Sequence, residues 1–288
     1  PVEIDVASEF RYRQAPFPDD GFAIFLSQSG ETMDTLSALR LCREQNQKIL
    51  SIVNVPNSSI ARESDAVLQT PAGPETGVAS TKAFTTQLVV LACLAITAAK
   101  QRKKLDSETE TTLGQAITGI PSRCVEVLSH DKQIQKLAQG LFKATDALYL
   151  GRGTGYPIAM EGALKLKEIS YIHAEGYPAA EMKHGPIALI DKNMPSVFIV
   201  PKDKTYEKII SNIQEIKSRK GKIIIVTDSK DKILKELAND LIIVPRSNIY
   251  LFVHLATIVL QLFAYYMAVI NKRDVDQPRN LAKSVTVE

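Results

Sequence analysis

The sequence predicts an α/β protein made of two tandem three-layer αβα sandwiches with parallel sheets. Three observations support this prediction. The segment that starts at Gly21 is repeated by the segment that starts at Pro195; the strands in both copies are continuously apolar and alternate with helices; and a long apolar helix follows each copy. Such strands indicate a parallel sheet that is covered on both faces. The shared spacing indicates that one structural unit occurs twice.

Each copy is predicted to contain a strand, a helix, a strand, a short helix and a strand, in that order. In the first copy they occupy residues 22–26, 32–45, 48–53, 59–63 and 65–70. In the second copy they occupy residues 196–200, 205–219, 222–227, 230–237 and 240–244. The long apolar helices follow at residues 80–100 and 248–271. Between the copies, a charged turn at residues 100–106 precedes helical patterns at 108–128 and 131–144.

The second copy starts with one further strand, residues 147–150, which a glycine-rich turn connects to a helix at residues 157–172. Its counterpart in the first copy is expected about fifty residues before Ile24 on the spacing of the repeat. We therefore expect the first sandwich to be incomplete at its N-terminus. The predicted domains are residues 1–130 and residues 131–273, followed by an extended tail over residues 274–288.

The composition is that of a globular protein. The chain has 288 residues, of which 45% are hydrophobic, enough for one large or two ordinary cores. The net charge of +3 is spread along the chain, which gives no support to a nucleic-acid or membrane-surface partner. Cys42, Cys93 and Cys124 have neither close partners nor metal-site spacing, so we predict reduced thiols, no metal and no cofactor.

Residues 249–270 form an apolar segment that is long enough to span a bilayer. The segment also contains His254, Thr257, Gln261 and two tyrosines, and nothing else in the chain resembles a second span. A helix buried in a soluble core or in a dimer interface is the preferred interpretation. The first residues are neither basic nor continuously apolar, which predicts no signal peptide and a cytoplasmic location.

The turn Ser27-Gln28-Ser29-Gly30-Glu31-Thr32 joins an apolar strand to a helix. A helix start carries unpaired N–H groups and a positive dipole end, and three hydroxyl groups surround it here. This arrangement predicts an anion site, preferably for a phosphate monoester. The alternative is an ordinary helix cap in which Ser29 or Gly30 starts the helix.

Glu161, Lys165 and Glu168 are spaced i, i+4 and i+7, which places them on one helix face after the glycine turn. Open parallel sheets bind ligands at the carboxyl ends of their strands, so a carboxylate and an ammonium group there are suited to acid–base chemistry. The alternative is a solvated salt bridge.

Two further residues have an open interpretation on the sequence alone. His184 lies in a loop rich in glycine and proline, where a hydrogen-bonded structural histidine is the alternative to a catalytic one. Lys283 lies in the polar C-terminal tail, for which a disordered terminus is the alternative.

Five motifs resemble the isomerase half of the glucosamine-6-phosphate synthases, also called glutamine:fructose-6-phosphate aminotransferases (isomerising), which contain tandem sugar isomerase (SIS) domains. They occur in the order and at the spacing of that family. The motifs are SQSGET from Ser27, GVASTKAFT from Gly77, EGALKLKE from Glu161, KHGP from Lys183 and PRNLAKSVTVE from Pro278.

This resemblance implies roles for the residues that match the motifs. Glu168 is expected to move the proton between C1 and C2 of the open-chain sugar, and Lys165 to assist at a hydroxyl group. His184 is expected to open the sugar ring in the active site of the neighbouring subunit. A tail lysine, Lys283, is expected to form a Schiff base with C2 of the ketose, for which a buried amine is suited.

The resemblance also implies which residues bind the substrate. The phosphate is expected to be held by Ser27, Gln28, Ser29 and Thr32. Val78 is expected to lie near the sugar, and Ala282 to make backbone contacts with it.

The function implied by the resemblance is the conversion of fructose 6-phosphate to glucosamine 6-phosphate, toward UDP-N-acetylglucosamine. Expected partners are a glutamine amidotransferase domain of the full-length chain, further subunits in a homodimer or tetramer, and UDP-N-acetylglucosamine as a feedback inhibitor. The alternatives are a non-catalytic SIS regulator that binds a sugar phosphate, and a plain phosphosugar isomerase. The joint presence of Glu168, His184 and Lys283 argues against the regulator, and the C-terminal tail that matches the family argues against the plain isomerase.

Overall fold

The computed structural model describes residues 2–286 and divides into two compact units. Unit 1 comprises the residues up to 98 together with those from 280 onward, and unit 2 comprises Ala99–Arg279. The domain boundaries that the sequence suggested at residues 130 and 273 stay predictions.

Unit 1 contains a parallel sheet of three strands in the order β1-β2-β3. Its elements are, in chain order, α1 (Ala7–Phe10), β1 (Phe22–Ser27), α2 (Met33–Glu44), β2 (Lys48–Val53), α3 (Ser59–Arg62), β3 (Ala66–Gln69) and α4 (Lys82–Gln101). Helix α2 directs Leu36, Leu39 and Cys42 into one core, as their spacing of three residues favours on a helix. Leu39 and Val53 are fully buried there.

Unit 2 contains a parallel sheet of five strands in the order β5-β4-β6-β7-β8. Its elements are α5 (Ser107–Thr118), α6 (Ile120–Leu128), α7 (Asp131–Gln139), β4 (Asp146–Gly151), α8 (Gly155–Ser170), β5 (His173–Pro178), β6 (Pro195–Val200), α9 (Tyr206–Ser218), β7 (Lys222–Thr227), α10 (Lys232–Leu237), β8 (Asp240–Ile243) and α11 (Ile249–Ile270). Two 3₁₀ turns, Glu181–His184 and Pro186–Leu189, lie between β5 and β6.

The predicted fold class is confirmed, because both units are α/β structures with parallel sheets. Strands β6, β7 and β8 repeat the order of β1, β2 and β3, as the internal repeat predicted. Strand β5 was not predicted: it combines histidine, glutamate, glycine and proline and lacks an apolar run. The single helix predicted over residues 108–128 is two helices, because Gly119 ends α5 and Pro121 stands in the first turn of α6.

Two helices, α4 and α11, are long and apolar enough to span a bilayer by length and composition, a criterion that core helices also meet. The prediction that nothing besides α11 resembles a span is therefore wrong, because α4 meets the same criterion. More than half of the apolar window of α11 is buried in unit 2, as expected of a core helix, whereas α4 is largely half-exposed in unit 1.

Helix α8 packs closely against α11 in unit 2 at Gly162. A Cβ atom at Gly162 would lie 2.5 Å from Leu260 Cδ1 and 2.9 Å from Tyr149 Cε1. A larger residue would require the Leu260 and Tyr149 side chains to move, because real Cβ atoms do not approach so closely. The contact fixes the position of α8 against α11. It therefore also fixes the positions of Glu161, Lys165 and Glu168, which lie on the same helix.

Candidate active site

The turn at residues 27–32, here called the phosphate loop, follows β1 in unit 1. Gly30 has a φ of 67°, and a Cβ atom there would lie 1.9 Å from Ser58 Oγ, so glycine is required for both reasons. The Gly30 N–H donates to Ser27 Oγ at 3.0 Å, and the Glu31 N–H donates to Ser29 Oγ at 3.2 Å. Ser27 Oγ also lies 3.2 Å from Thr32 Oγ1. The Ser27 and Thr32 hydroxyl groups are therefore paired with each other, whereas the Ser29 hydroxyl group accepts from the backbone of the same loop.

Helix α2 begins at Met33, with Thr32 as its N-cap residue and without a side-chain cap hydrogen bond. The alternative in which Ser29 or Gly30 starts the helix as a cap is therefore wrong. The described C-terminal tail contacts this helix start instead. The Met33 N–H donates to the Val285 carbonyl at 3.2 Å, and Ser29 Oγ lies 3.0 Å from Ser284 Oγ.

Lys283 directly precedes the two tail residues that make these contacts, and its ammonium group forms an ion pair with Glu75. The Lys283 Nζ atom is 2.7 Å from Glu75 Oε2 and donates to the Gly77 carbonyl at 2.7 Å. The Lys283 side chain is 29% exposed and the Glu75 side chain 4%. The expected buried amine is therefore a partly exposed ammonium group with a buried carboxylate partner.

Three further residues of unit 1 were predicted to contact substrate. Val78 is half-buried, one residue after the Gly77 carbonyl that accepts from Lys283. Gln28 lies in the phosphate loop and its carbonyl accepts from the Asn54 N–H at 3.2 Å. Ala282 is exposed, next to Lys283. Their predicted roles stay predictions.

In unit 2, Lys165 and Glu168 form a close ion pair on α8. The Lys165 Nζ atom is 2.5 Å from Glu168 Oε2 and 3.7 Å from Glu161 Oε1. The Lys165 side chain is 5% exposed, and those of Glu161 and Glu168 are 10% and 21% exposed. The alternative of a solvated salt bridge is therefore wrong. A buried ammonium group of this kind depends on its carboxylate partners, because an unpaired buried charge is strongly destabilising.

Glu161 is held in a partly neutral state by this environment. Burial raises the pKa of Glu161 to about 7; the nearby Lys165 ammonium group opposes this shift and the Glu168 carboxylate adds to it. Near neutral pH the Glu161 carboxyl group is therefore partly protonated, and the Glu168 carboxylate is the closer partner of Lys165.

Replacing Glu161 by glutamine is expected to raise the free energy of unfolding more at pH 8 than at pH 5. The folded-state pKa of about 7 exceeds the ordinary value of 4.5. Stability from the neutral carboxyl group is therefore fully present below the ordinary value and is lost as the pH rises through about 7. An amide does not ionise, so the difference between the two pH values is expected to be about 2–3 kcal/mol in urea unfolding.

A matched control is Glu207→Gln, which changes an exposed glutamate in the first turn of α9. This variant is expected to keep the pH dependence of the unmodified protein. An identical pH dependence in Glu161→Gln and Glu207→Gln would contradict the buried, partly neutral state of Glu161.

His184 is the last residue of the 3₁₀ turn Glu181–His184 and is exposed. Gly185 follows with a φ of 147°, a conformation that favours glycine.

Among the predicted site residues, the structure brings together the phosphate loop and the tail with Lys283 in unit 1. In unit 2 it brings Lys165 together with Glu161 and Glu168. Within the described residues, no cluster of three or more histidine, cysteine or carboxylate side chains could hold a metal ion.

Glu75 is the charged residue that the sequence interpretation missed. It occupies a loop without periodicity, and its partner Lys283 lies 208 residues further along the chain. The feature of the sequence that could have identified Glu75 as a site residue was its position two residues before the GVASTKAFT motif.

Comparison with known proteins agrees with the resemblance seen in the motifs. The SIS domain family matches residues 1–97 and 140–271. Similar proteins include the glutamine–fructose-6-phosphate aminotransferases (isomerizing) of Bradyrhizobium diazoefficiens, 57% identical over 291 residues, and of Mesorhizobium japonicum, 55% identical over 289 residues. Both alignments cover 100% of this chain and 48% of the relative. The chain thus spans about half the length of these relatives.

Among solved structures, the C-terminal domain of glucosamine-fructose-6-phosphate aminotransferase from Francisella tularensis is 44% identical, with a TM-score of 0.92 over 96% of this chain and 78% of that chain. Glucosamine-6-phosphate deaminase from Thermotoga maritima shares the fold, with a TM-score of 0.72 at 22% identity over 97% of this chain and 80% of that chain. The family match covers well over half of the chain, and the match to the Francisella domain covers most of both proteins. The chain therefore belongs to the SIS domain family and, within it, to the C-terminal domains of the glutamine–fructose-6-phosphate aminotransferases.

Proposed function

We propose that this chain is the isomerase part of a glutamine–fructose-6-phosphate aminotransferase, which binds fructose 6-phosphate and forms glucosamine 6-phosphate. The observation that carries the proposal is the buried Lys165–Glu168 pair on α8, with Nζ and Oε2 2.5 Å apart. A protein that only binds a sugar phosphate gains nothing from a buried acid–base pair, whereas proton transfer between neighbouring carbon atoms requires one.

The chemistry follows from the charges of this pair. Conversion of a ketose-type imine to an aldose requires one base that removes a proton from C1 and returns it to C2. Glu168 is the carboxylate for this task. Lys165 is the adjacent cation, which stabilises the negative charge that develops on the sugar oxygen during the transfer.

A direct test is deuterium exchange. In D₂O, the protein is expected to exchange deuterium into C1 of fructose 6-phosphate, which mass spectrometry detects without any amine donor. The sugar incubated alone gives the background rate. Substrate that binds but does not exchange above this background would favour the non-catalytic regulator.

The phosphate loop is proposed to bind the substrate phosphate through Ser27, Gln28, Ser29 and Thr32. Replacing Ser29 and Thr32 together by alanine is expected to weaken fructose 6-phosphate binding by about 10- to 100-fold, since two neutral donors to an anion are lost. Calorimetry measures the affinity, and circular dichroism shows whether the fold is kept. A Ser122→Ala variant is the matched control, since Ser122 Oγ donates to the Gly119 carbonyl on the exposed surface of α6. Unchanged affinity in the double variant would refute this phosphate site.

His184 is proposed to act in the active site of a neighbouring subunit, in a homodimer or tetramer. Its exposed position on unit 2 is compatible with this role. An inactive His184→Ala chain mixed with an inactive Glu168→Gln chain is then expected to recover up to about a quarter of the activity, because hybrid dimers contain one intact site. Verified mixed dimers without recovered activity would contradict a shared site.

The further partners are proposed from the family resemblance of the motifs. A glutamine amidotransferase domain in the full-length chain supplies the nitrogen, and the product leads toward UDP-N-acetylglucosamine, which is also the proposed feedback inhibitor. We place this reaction in the cytoplasm.

A further inference from the structure

Glu75 lies in the loop between β3 and α4 of unit 1, and its side chain is 4% exposed. A buried carboxylate is costly unless hydrogen bonds or opposite charges compensate the lost solvation. The roles assigned so far to the phosphate loop and the tail lysine do not account for this residue. Its partners therefore indicate what the buried charge does.

The two carboxylate oxygen atoms of Glu75 have different partners. Oε1 accepts the Thr81 N–H at 2.9 Å, the Thr81 hydroxyl at 3.1 Å and the Ala83 N–H at 3.2 Å, at the start of α4. Oε2 accepts from Lys283 Nζ at 2.7 Å. Capping of α4 thus uses one oxygen atom, and the other oxygen atom holds the tail lysine.

Lys283 is fixed at more than one point. Its Nζ atom also donates to the Gly77 carbonyl at 2.7 Å, in the same loop as Glu75. The next residues of the tail contact the phosphate loop through Ser284 and Val285. Glu75 therefore sets where the amine lies relative to the loop that is proposed to bind the substrate phosphate.

The charge of Glu75 also affects the chemistry of the amine. Burial alone would raise the pKa of Glu75, but the hydrogen bonds from Lys283, Thr81 and Ala83 outweigh burial and hold the pKa below its ordinary value. A carboxylate of this kind is a weak proton acceptor. It holds the tail lysine through a charged hydrogen bond and is not suited to act as the base for it.

Imine formation requires the side chain of Lys283 to be a neutral amine. The ammonium group first releases one proton to solvent, and the neutral amine then forms a bond to the ketone carbon of the substrate. The C–O π bond breaks as this bond forms, and the carbonyl oxygen takes one of the two amine protons, which gives a carbinolamine. The hydroxyl group then leaves with the remaining nitrogen proton as water, which leaves the carbon–nitrogen double bond. The energy needed for the first step depends on how strongly Glu75 holds the ammonium group.

We propose that Glu75 is the positioning residue for Lys283 and that its negative charge sets the pH range in which Lys283 forms the imine. The proposal rests on the proposed function, which makes Lys283 the nucleophile. Charged residues on the elements around the pair include Lys82 and Glu31. Lys82 in the first turn of α4 is exposed, and the Glu31 carboxylate in the phosphate loop accepts the Ser59 N–H at 2.7 Å.

The test compares Glu75→Gln with the unmodified full chain. Glutamine keeps an oxygen atom for the start of α4 but loses the charge that faces Lys283. The imine with fructose 6-phosphate is reduced by cyanoborohydride between pH 5 and 9, and peptide mass mapping quantifies the adduct at Lys283. We expect the half-maximal pH to fall by about one pH unit or more, since an opposite charge at such a distance has effects of this size. The maximal rate is expected to fall about tenfold, because the amine is less well positioned.

Glu75→Asp restores the charge on a shorter side chain and is expected to return the half-maximal pH most of the way to that of the unmodified protein. Asp106→Asn is the matched control: it changes a carboxylate that caps another helix, where Asp106 Oδ1 accepts the Thr109 N–H at 2.7 Å. This control is expected to leave the pH profile unchanged. If Glu75→Gln does not fold, Glu75→Asp serves as the test, with a smaller shift in the same direction.

An adduct whose half-maximal pH is the same in the unmodified protein, Glu75→Gln and Glu75→Asp would overturn the role of Glu75 and leave the proposed function intact. A Glu75→Gln variant that loses fructose 6-phosphate binding as well would also overturn it, because Glu75 would then act only through the fold. An unmodified protein that exchanges deuterium into the substrate but forms no adduct at Lys283 would overturn the proposal together with the nucleophile. An unmodified protein that does neither would refute the proposed function itself.

Discussion

Replacing Glu168 by glutamine is expected to slow deuterium exchange at C1 of fructose 6-phosphate by about 10³-fold or more, while substrate affinity changes by less than about threefold. Glutamine has the shape of glutamate but cannot accept the proton from carbon. Its amide still occupies the position next to Lys165, so the packing of α8 is kept. The exchange rate is measured by mass spectrometry, and the affinity by calorimetry.

The control for this variant is Glu207→Gln, the exposed glutamate on α9. It is expected to exchange at the unmodified rate. Substitution of Glu168 without effect on exchange would assign the base to another residue, and Glu161 would be the first candidate because its pKa is raised to about 7. A combined loss of exchange and binding would instead indicate a structural role for Glu168.

The predicted elements agree best with the structure where an apolar run is bounded by turn residues. Strand β2 has the predicted bounds, and β1 ends one residue later than predicted. Apolar periodicity and turn chemistry are both local, so they are readable from one sequence. Strand β5 lacks such a pattern, and its position beside β4 follows from tertiary packing. The break between α5 and α6 depends on a glycine and a proline that the helical pattern of the segment obscured.

The candidate site was predictable to the extent that its residues are close in sequence. Glu161, Lys165 and Glu168 share one helix face because of their spacing, and the structure confirms that cluster. The partner of Lys283 was not predictable in this way, since no periodicity relates residues that are 208 positions apart. The burial of Lys165 could not be predicted from the sequence either. The sequence shows that α8 carries charged residues, but only the packing of the unit shows that the Lys165 side chain is 5% exposed.

Replacing Lys283 by arginine is expected to abolish the covalent adduct with fructose 6-phosphate and to lower turnover at least about a thousandfold. Arginine keeps the positive charge and its planar fork pairs well with a carboxylate, so the contact with Glu75 and the position of the tail are kept. It remains charged under all practical conditions and therefore provides no neutral amine for attack on the ketone. The adduct is measured by borohydride reduction and peptide mass mapping, and the affinity for fructose 6-phosphate is expected to stay within about threefold.

Lys82→Arg is the matched control, because Lys82 is an exposed lysine at the start of α4 in the same unit. It is expected to retain both adduct and turnover. A trapped mass that maps to Lys165 in the unmodified protein would reverse the roles of the two lysines, and Glu168 would then contact the nucleophile directly, since its Oε2 atom lies 2.5 Å from Lys165 Nζ. A Lys283→Arg variant with normal turnover would show that the reaction proceeds without a covalent intermediate at the tail. The ion pair with Glu75 would then serve only to hold the tail against the loop of residues 70–81.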